Sequence, residues 1–321
     1  MSNDASKVAI VGAGFVGSTF AYALMISGIA SEIVIIDKNE EKASGEVMDL
    51  NHGVPFVRPV AIRTGDFPDC EGADIVVITA GAAQKPGETR LDLVRRNVAI
   101  FRELIPKIAR YASGAILLVV TNPVDVMTYI ALQISGFPAS RVIGSGTVLD
   151  TARFRYLLSK HCGVDPKNVH AYVVGEHGDS EVAVWSVANI AGIGLGQFCA
   201  GCGRRCDEVM RREITGRLKE AAYEIIERKG ATYFAVGLAI LEIVESILRH
   251  ENSVLTVSTL VQDYLGVGDV CLSVPALLNR TGVAKTLHLD LDQDEVAQFR
   301  HSAEVLKGVL GEVREKAPVP V

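Results

Sequence analysis

The sequence predicts an α/β protein: a doubly wound parallel sheet, followed by a mixed α+β region. Three observations lead there. Short apolar runs alternate with helical periods over residues 1–145. Those runs are apolar at nearly every position rather than every second one, the mark of strands covered on both faces. Beyond residue 145 the alternation gives way to long helices and then to strands with period-two patterning.

The elements follow in order. Residues 7–11 (KVAIV) form a short apolar strand, and 15–27 a helix that opens just after a glycine cluster. Residues 32–36 (EIVII) are β-branched and end at Asp37. Further strands are predicted at 61–64, 75–79, 115–120 and 141–144, with helices at 91–111 and 124–135 between them. In the second half, 148–162 reads as a helix and 169–174 as a strand. A long polar helix is expected at 204–229 and an apolar one at 231–248. Residues 253–261 and 269–275 alternate like antiparallel strands, 294–310 close the chain as a helix, and the Pro-containing tail is loose. The expected division is 1–145 and 146–321.

Composition narrows the function. The 321 residues are 49% hydrophobic and 22% charged, with net charge −6. No basic patch stands out, which argues against nucleic-acid binding. The apolar run 231–248 carries Glu242 and Glu245, so it reads as a buried or subunit-contact helix rather than a membrane span. The polar start, Met1 to Lys7, gives no sign of a secretory signal, and a cytoplasmic protein is expected. Three of six cysteines cluster at Cys199, Cys202 and Cys206. That spacing invites zinc or iron–sulfur, but no fourth ligand lies nearby in sequence. Reduced surface thiols and no metal are the expectation.

The first strand runs into Gly12-Ala13-Gly14-Phe15-Val16-Gly17. G-x-G-x-x-G alone is weak; between a strand and a helix it becomes a dinucleotide site. Gly12 serves the tight turn, Gly14 lets a pyrophosphate approach the backbone, and Gly17 lets helix pack on strand. Asp37, 20 residues beyond Gly17, can accept from ribose hydroxyls and repels a 2′-phosphate, so NAD is favoured over NADP. Thr79 to Ala82 and Val120 to Pro123 follow later strands, where the nicotinamide half should lie. Val16, Lys42, Gly81 and Ala82 are expected at the cofactor, with Val120, Asn122 and Ser145 completing its surround.

Two further segments carry chemistry. Gly175-Glu176-His177-Gly178-Asp179 holds a histidine that can move a proton near neutral pH. Asp150-Thr151-Ala152-Arg153 supplies a carboxylate to orient it and a guanidinium to clamp a substrate carboxylate. Asp150 and Arg153 are three apart on a helix and share a face. A simple salt bridge between them is the competing reading.

Together with Gln84-Lys85-Pro86-Gly87-Glu88-Thr89-Arg90 and Thr121-Asn122-Pro123-Val124-Asp125, these motifs stand in one order. The set resembles the NAD-dependent L-lactate dehydrogenases of bacteria, within the lactate/malate dehydrogenase family, over nearly the whole chain. The resemblance implies a Rossmann domain and a catalytic domain, with catalytic His177, Asp150, Arg90 and Arg153. It implies pyruvate and lactate as substrates, met by Gln84, Arg90, Asn122, Asp125, Asp150, Arg153 and Thr232. Residues 84–90 read as a mobile lid that brings in Arg90. Malate-acting relatives carry arginine where Gln84 stands, so pyruvate is expected over oxaloacetate. Relatives that respond to fructose bisphosphate are similar at Arg155 and His170, which implies an effector site at a dyad of a homotetramer, or of dimers in equilibrium with it. Malate dehydrogenase, or a non-catalytic NAD-binding protein on the same scaffold, are the alternatives.

Overall fold

A computed structural model describes residues 6–82 and 89–316. The first half builds a βα succession: β1 (Lys7–Val11), α1 (Phe15–Ser27), β2 (Glu32–Ile36), α2 (Glu40–Gly53), β3 (Ala61–Thr64), β4 (Ile75–Ile78), α3 (Arg90–Tyr111), β5 (Ile116–Val119), α4 (Val124–Ser135) and β6 (Val142–Gly144). These strands pair in parallel. Their alternating side chains divide between two cores. Ala9, Val34, Val76 and Leu117 pack on one face against Phe101 and Ile105 of α3 and Ile130 of α4. Val8, Ile33, Val77 and Leu118 pack on the other against Phe20 and Leu24 of α1 and Val47 of α2. Sheet side chains alternate with period two, and both faces are dry, which is why the strands read as continuous apolar runs. Truncating a fully buried member such as Leu118 to Ala would destabilise by about 2–5 kcal/mol.

The second half continues with α5 (Val148–Cys162), β7 (Val169–Val174), β8 (Val182–Ile190), β9 (Ile193–Gly194), α6 (Leu195–Cys202), α7 (Glu208–Lys229), α8 (Phe234–Leu248), β10 (Ser253–Val261), β11 (Val270–Asn279), β12 (Gly282–Thr286) and α9 (Gln293–Lys316). The sheet does not end with the first half. Its order is β12-β11-β10-β6-β5-β4-β1-β2-β3, with β10 joined antiparallel to β6 at Ser258 and Gly144. A second sheet, β7-β8-β9, packs with α5, α6 and α7 around Phe154, Val173 and Leu218.

Several expectations need correction. The helix expected over 204–229 begins only at Glu208, because Gly203 ends α6 in the left-handed region (φ 72°) and Asp207 caps α7 by accepting from Met210 N. The strand pairing at 269–275 extends to Asn279, and α9 runs to Lys316 rather than 310. α2, β8, α6 and β12 were not anticipated. Cys199 is buried rather than at the surface, and its thiol contacts those of Cys162 and Cys206. Burial, then these neighbouring thiols, push Cys199 up to about 12. No helix among the described residues is long and apolar enough to cross a membrane.

Candidate active site

The chain reverses direction across the sheet between β1 and β4, the place where a ligand crevice opens in such folds. Gly12, Asp37, Thr79, Val120 and Ser145 each lie just beyond the carboxyl end of a parallel strand. Gly12 has φ 116°, and a Cβ there would lie 2.6 Å from Ala80 N. A Cβ on Gly17 would lie 1.9 Å from the Gly12 carbonyl oxygen, so only glycine lets α1 pack against the turn. At Gly14 a Cβ meets nothing within 4 Å. Gly14 is also the N-cap of α1 and supplies no side-chain bond to its free N–H groups. An open cradle at an uncapped helix N-terminus fits a pyrophosphate.

Asp37 ends β2, and its carboxylate accepts from Ala13 N (2.7 Å) and Asn39 N (2.9 Å). It thus ties the end of β2 to the glycine turn. Val16 is half-buried in the first turn of α1, and Lys42 is exposed in the first turn of α2. Ser145 N donates to Val119 O (2.8 Å), which ties the end of β6 to β5.

Asn97, on α3, was not anticipated, yet it joins two of the loops. Its Oδ1 accepts from Ala82 N (2.7 Å), and its Nδ2 donates to Asn122 O (2.8 Å). Thr121 Oγ1 reinforces the join by donating to Ala80 O (2.8 Å). Asn97 sits at 1% exposure, so neither bond competes with water. The Asn122–Pro123 peptide is cis, and the Asn122 side chain is exposed. Gln84, and the side chain of Arg90 at the start of α3, lie outside the described residues.

The proton-handling group forms where β7 runs out. Gly175 bridges to Ser273 of β11, and Glu176 N donates to Ser302 Oγ of α9 (2.7 Å). His177 N donates to Asp125 Oδ2 (2.8 Å). These three anchors fix the backbone that carries the imidazole. Asp125 is 2% exposed and turned to the His177 backbone, which differs from the direct substrate contact expected of it. Burial raises its carboxyl to about 6, against the opposing pull of nearby Ser258 and of the His177 N–H and ring.

Asp150, in the first turn of α5, is almost fully buried and serves two partners at once. Oδ2 lies 2.5 Å from His177 Nδ1, and Oδ1 accepts from Arg153 Nη1 at 2.9 Å. The salt bridge and the histidine pairing are therefore not rivals. Burial works against the Asp150 charge, but the His177 charge and bond, with Arg153, hold its carboxyl below the usual carboxylate range. A carboxylate can only accept, so Nδ1 carries a proton and Nε2 is the ring atom left for substrate. Burial pulls the imidazolium down, yet Asp150, Asp125 and Glu181 together raise His177 to about 9. Arg153 Nη1 also donates to Leu218 O of α7 (3.3 Å). Its Nε and Nη2 make no hydrogen bond among the described residues, leaving a two-pronged donor edge. Thr232 lies half-buried just before α8, and the N-cap there is Tyr233.

A dinucleotide crevice together with a carboxylate–histidine–arginine cluster defines a nicotinamide-dependent oxidoreductase. The comparisons refine this class. Residues 6–144 match the family model described as lactate/malate dehydrogenase, NAD binding domain, and residues 147–317 match its alpha/beta C-terminal domain. The chain belongs to the lactate/malate dehydrogenase family, and NAD is its cofactor. It is 56% identical over 308 residues to the L-lactate dehydrogenase of Thermoanaerobacter sp. strain X514, covering 96% of this chain and 99% of that one. It is 58% identical over 304 residues to the L-lactate dehydrogenase of Acetivibrio thermocellus, covering 95% and 96%. Among solved structures, the minor L-lactate dehydrogenase from Enterococcus mundtii in its ligand-bound form superposes with TM-score 0.94 at 42% identity, covering 97% and 99%.

Proposed function

We propose that the protein is an L-lactate dehydrogenase that interconverts pyruvate with NADH and L-lactate with NAD, in the fermentative end of sugar breakdown in the cytoplasm. The observation that carries this is Asp150 placed between His177 (2.5 Å) and Arg153 (2.9 Å), in a chain whose relatives are L-lactate dehydrogenases.

When bound, NAD supplies the ring carbon that accepts or gives the hydride. The chain's own residues manage charge and position. The Arg153 fork grips the substrate carboxylate through Nε and Nη2, a charge-assisted pair stronger than a neutral bond. His177 Nε2–H gives its proton to the carbonyl oxygen of pyruvate as the alcohol forms, and takes it back in reverse. Asp150 holds the tautomer and the imidazolium charge. Arg90 polarises the carbonyl and stabilises the charge that develops on its oxygen. Asn122 and Thr232 border the substrate, and Gln84 faces its methyl end. A second carboxylate, as in oxaloacetate, would meet a neutral amide there and remain unpaired, at several kcal/mol. Following nicotinamide absorbance with pyruvate and then oxaloacetate tests this reading. Preference for oxaloacetate would make the protein a malate dehydrogenase, and no turnover of either would leave a non-catalytic binding protein.

The same proposal includes an effector site for fructose bisphosphate at Arg155 and His170. Arg155 Nε donates to Ala171 O (3.0 Å), beside the exposed His170, and the guanidinium lies over the Tyr172 ring at 5.4 Å. Lys167 lines the same groove of about 430 Å³. Exposed Leu238 of α8, which lines this groove, and exposed Tyr22 and Ile26 of α1 support contacts between copies in a homotetramer, in equilibrium with dimers. Fructose bisphosphate should lower the KM for pyruvate and increase the sedimentation coefficient; if both stay unchanged, the effector reading falls.

A further inference from the structure

Glu181, four residues past His177, stands just before β8. The structure buries it to 5% exposure. Its Oε1 has no hydrogen-bond partner among the described residues. Its carboxyl, that of Asp150 and the His177 ring each present an atom within 4.8 Å of the others. Nothing in the proton transfer described above uses it.

The surroundings of this carboxyl decide what it does. α5 presents Asp150 and Arg153, and α7 presents Lys219, whose Nζ donates to Asp179 O (2.8 Å). From the loop itself comes His177, which also feels Asp125 of α4. Asp150 is committed as a carboxylate by its two partners, so a second negative charge beside it is disfavoured. Burial first, then the Asp150 charge, push Glu181 up to about 8, against His177, Arg153 and Lys219. Glu181 is therefore mostly neutral near pH 7 and ionises as the solution turns alkaline. An anion that appears beside the imidazolium makes its proton harder to lose.

We propose that Glu181 is a positioning residue for the proton step: buried beside the Asp150–His177 pair, its carboxyl ionises in alkaline solution and keeps the imidazolium protonated there. The only bond that changes in Glu181 is its O–H, whose proton goes to solvent. This proposal rests on the reading of His177 as the proton carrier. Histidine and carboxyl then titrate as a coupled pair rather than singly.

The test is the pH profile of kcat/KM for pyruvate reduction in wild type and Glu181→Gln, together with the ¹³C titration of the His177 ring in the intact proteins. Glu181→Gln should match wild type below pH 7. At pH 9.5 it should fall about threefold to tenfold below it, as expected for loss of one neighbouring charge. Glu181→Asp should recover part of that alkaline activity. The His177 signal should titrate in two steps in wild type and in one step, at lower pH, in Glu181→Gln. Superimposed profiles, an equal loss at every pH, or a single-step wild-type titration would each overturn the proposal. Absence of pyruvate turnover would sink the functional reading instead, and the ring titration would still decide the role of Glu181.

Discussion

Replacing Asp150 with Asn removes one charge and leaves the shape of α5 nearly unchanged. In the native protein, burial lowers the His177 pKa, and against that pull Asp150 is the largest influence lifting it from its ordinary 6.5 to about 9. That interval corresponds to about 3 kcal/mol of preference for the imidazolium. Without that charge, burial is opposed only by the weaker pull of Asp125 and Glu181, and His177 should titrate near or below about 6.5. At pH 7.5 the native imidazole is then nearly all protonated, while the variant keeps roughly a tenth of its rings charged. Pyruvate reduction should fall about tenfold from proton supply alone at that pH, and more than a hundredfold by pH 9.5. An amide can also turn its NH₂ toward Nδ1, and the wrong tautomer would add to the loss. The assay is kcat/KM for pyruvate from pH 5.5 to 9.5, read beside the native profile. The two should converge at acid pH and separate steadily above pH 6.5. A ratio that stays constant across the range would refute the electrostatic role of Asp150. Stability carries the same signature. Because folding raises the His177 pKa, the pair's contribution is full below about pH 6.5 and is lost as pH climbs through about 9. The native protein and the Asp150→Asn variant should therefore differ less in Tm at pH 9.5 than at pH 6.

Other substitutions separate cofactor binding from folding. Gly14→Ala points its methyl into open space at the cradle, so Tm should hold while KM for NADH rises at least about tenfold. Gly17→Ala drives a methyl into the Gly12 carbonyl, so Tm itself should drop, by about 1–3 kcal/mol of stability or more. Equal Tm values for the two variants would contradict the assignment of these glycines. Asn97→Ala leaves Ala82 N and Asn122 O without their buried partner, a penalty of about 1–3 kcal/mol. Its kcat/KM for pyruvate should fall about tenfold or more, and wild-type kinetics would show that the loops do not need this strut. Gln84→Arg should move relative kcat/KM toward oxaloacetate; an unmoved ratio would refute the account of that loop.

The doubly wound core was legible because strands buried on both faces have no polar positions to obscure them, as in Ile75–Ile78 and Ile116–Val119. α2 escaped notice because Glu40–Gly53 is mostly polar and buries only Ala43, Val47 and Leu50. Their i, i+4, i+7 spacing, after Asn39 as N-cap, was the signal available. β8 was missed because Trp185, Ser186 and Val187 interrupt its buried run with partly or fully exposed positions. Among site residues, His177, Asp150 and Arg153 stood out by type and spacing. Asn97 did not, since an amide on an amphipathic helix looks solvated until two loops close over it. Glu181 did not for a related reason: only tertiary packing strips the water from a loop carboxylate. The duty of Asp125 toward the His177 backbone joins residues 52 apart in sequence, a distance no local pattern reports.

The central claim is that this cluster reduces a 2-oxo acid with one carboxylate. Initial rates of NADH oxidation by the purified protein with pyruvate, and separately with oxaloacetate, test it most directly. The account predicts pyruvate ahead by about a hundredfold or more in kcat/KM, the ratio expected from several kcal/mol of unpaired charge. Oxaloacetate equal to or ahead of pyruvate, or no oxidation with either, would contradict it.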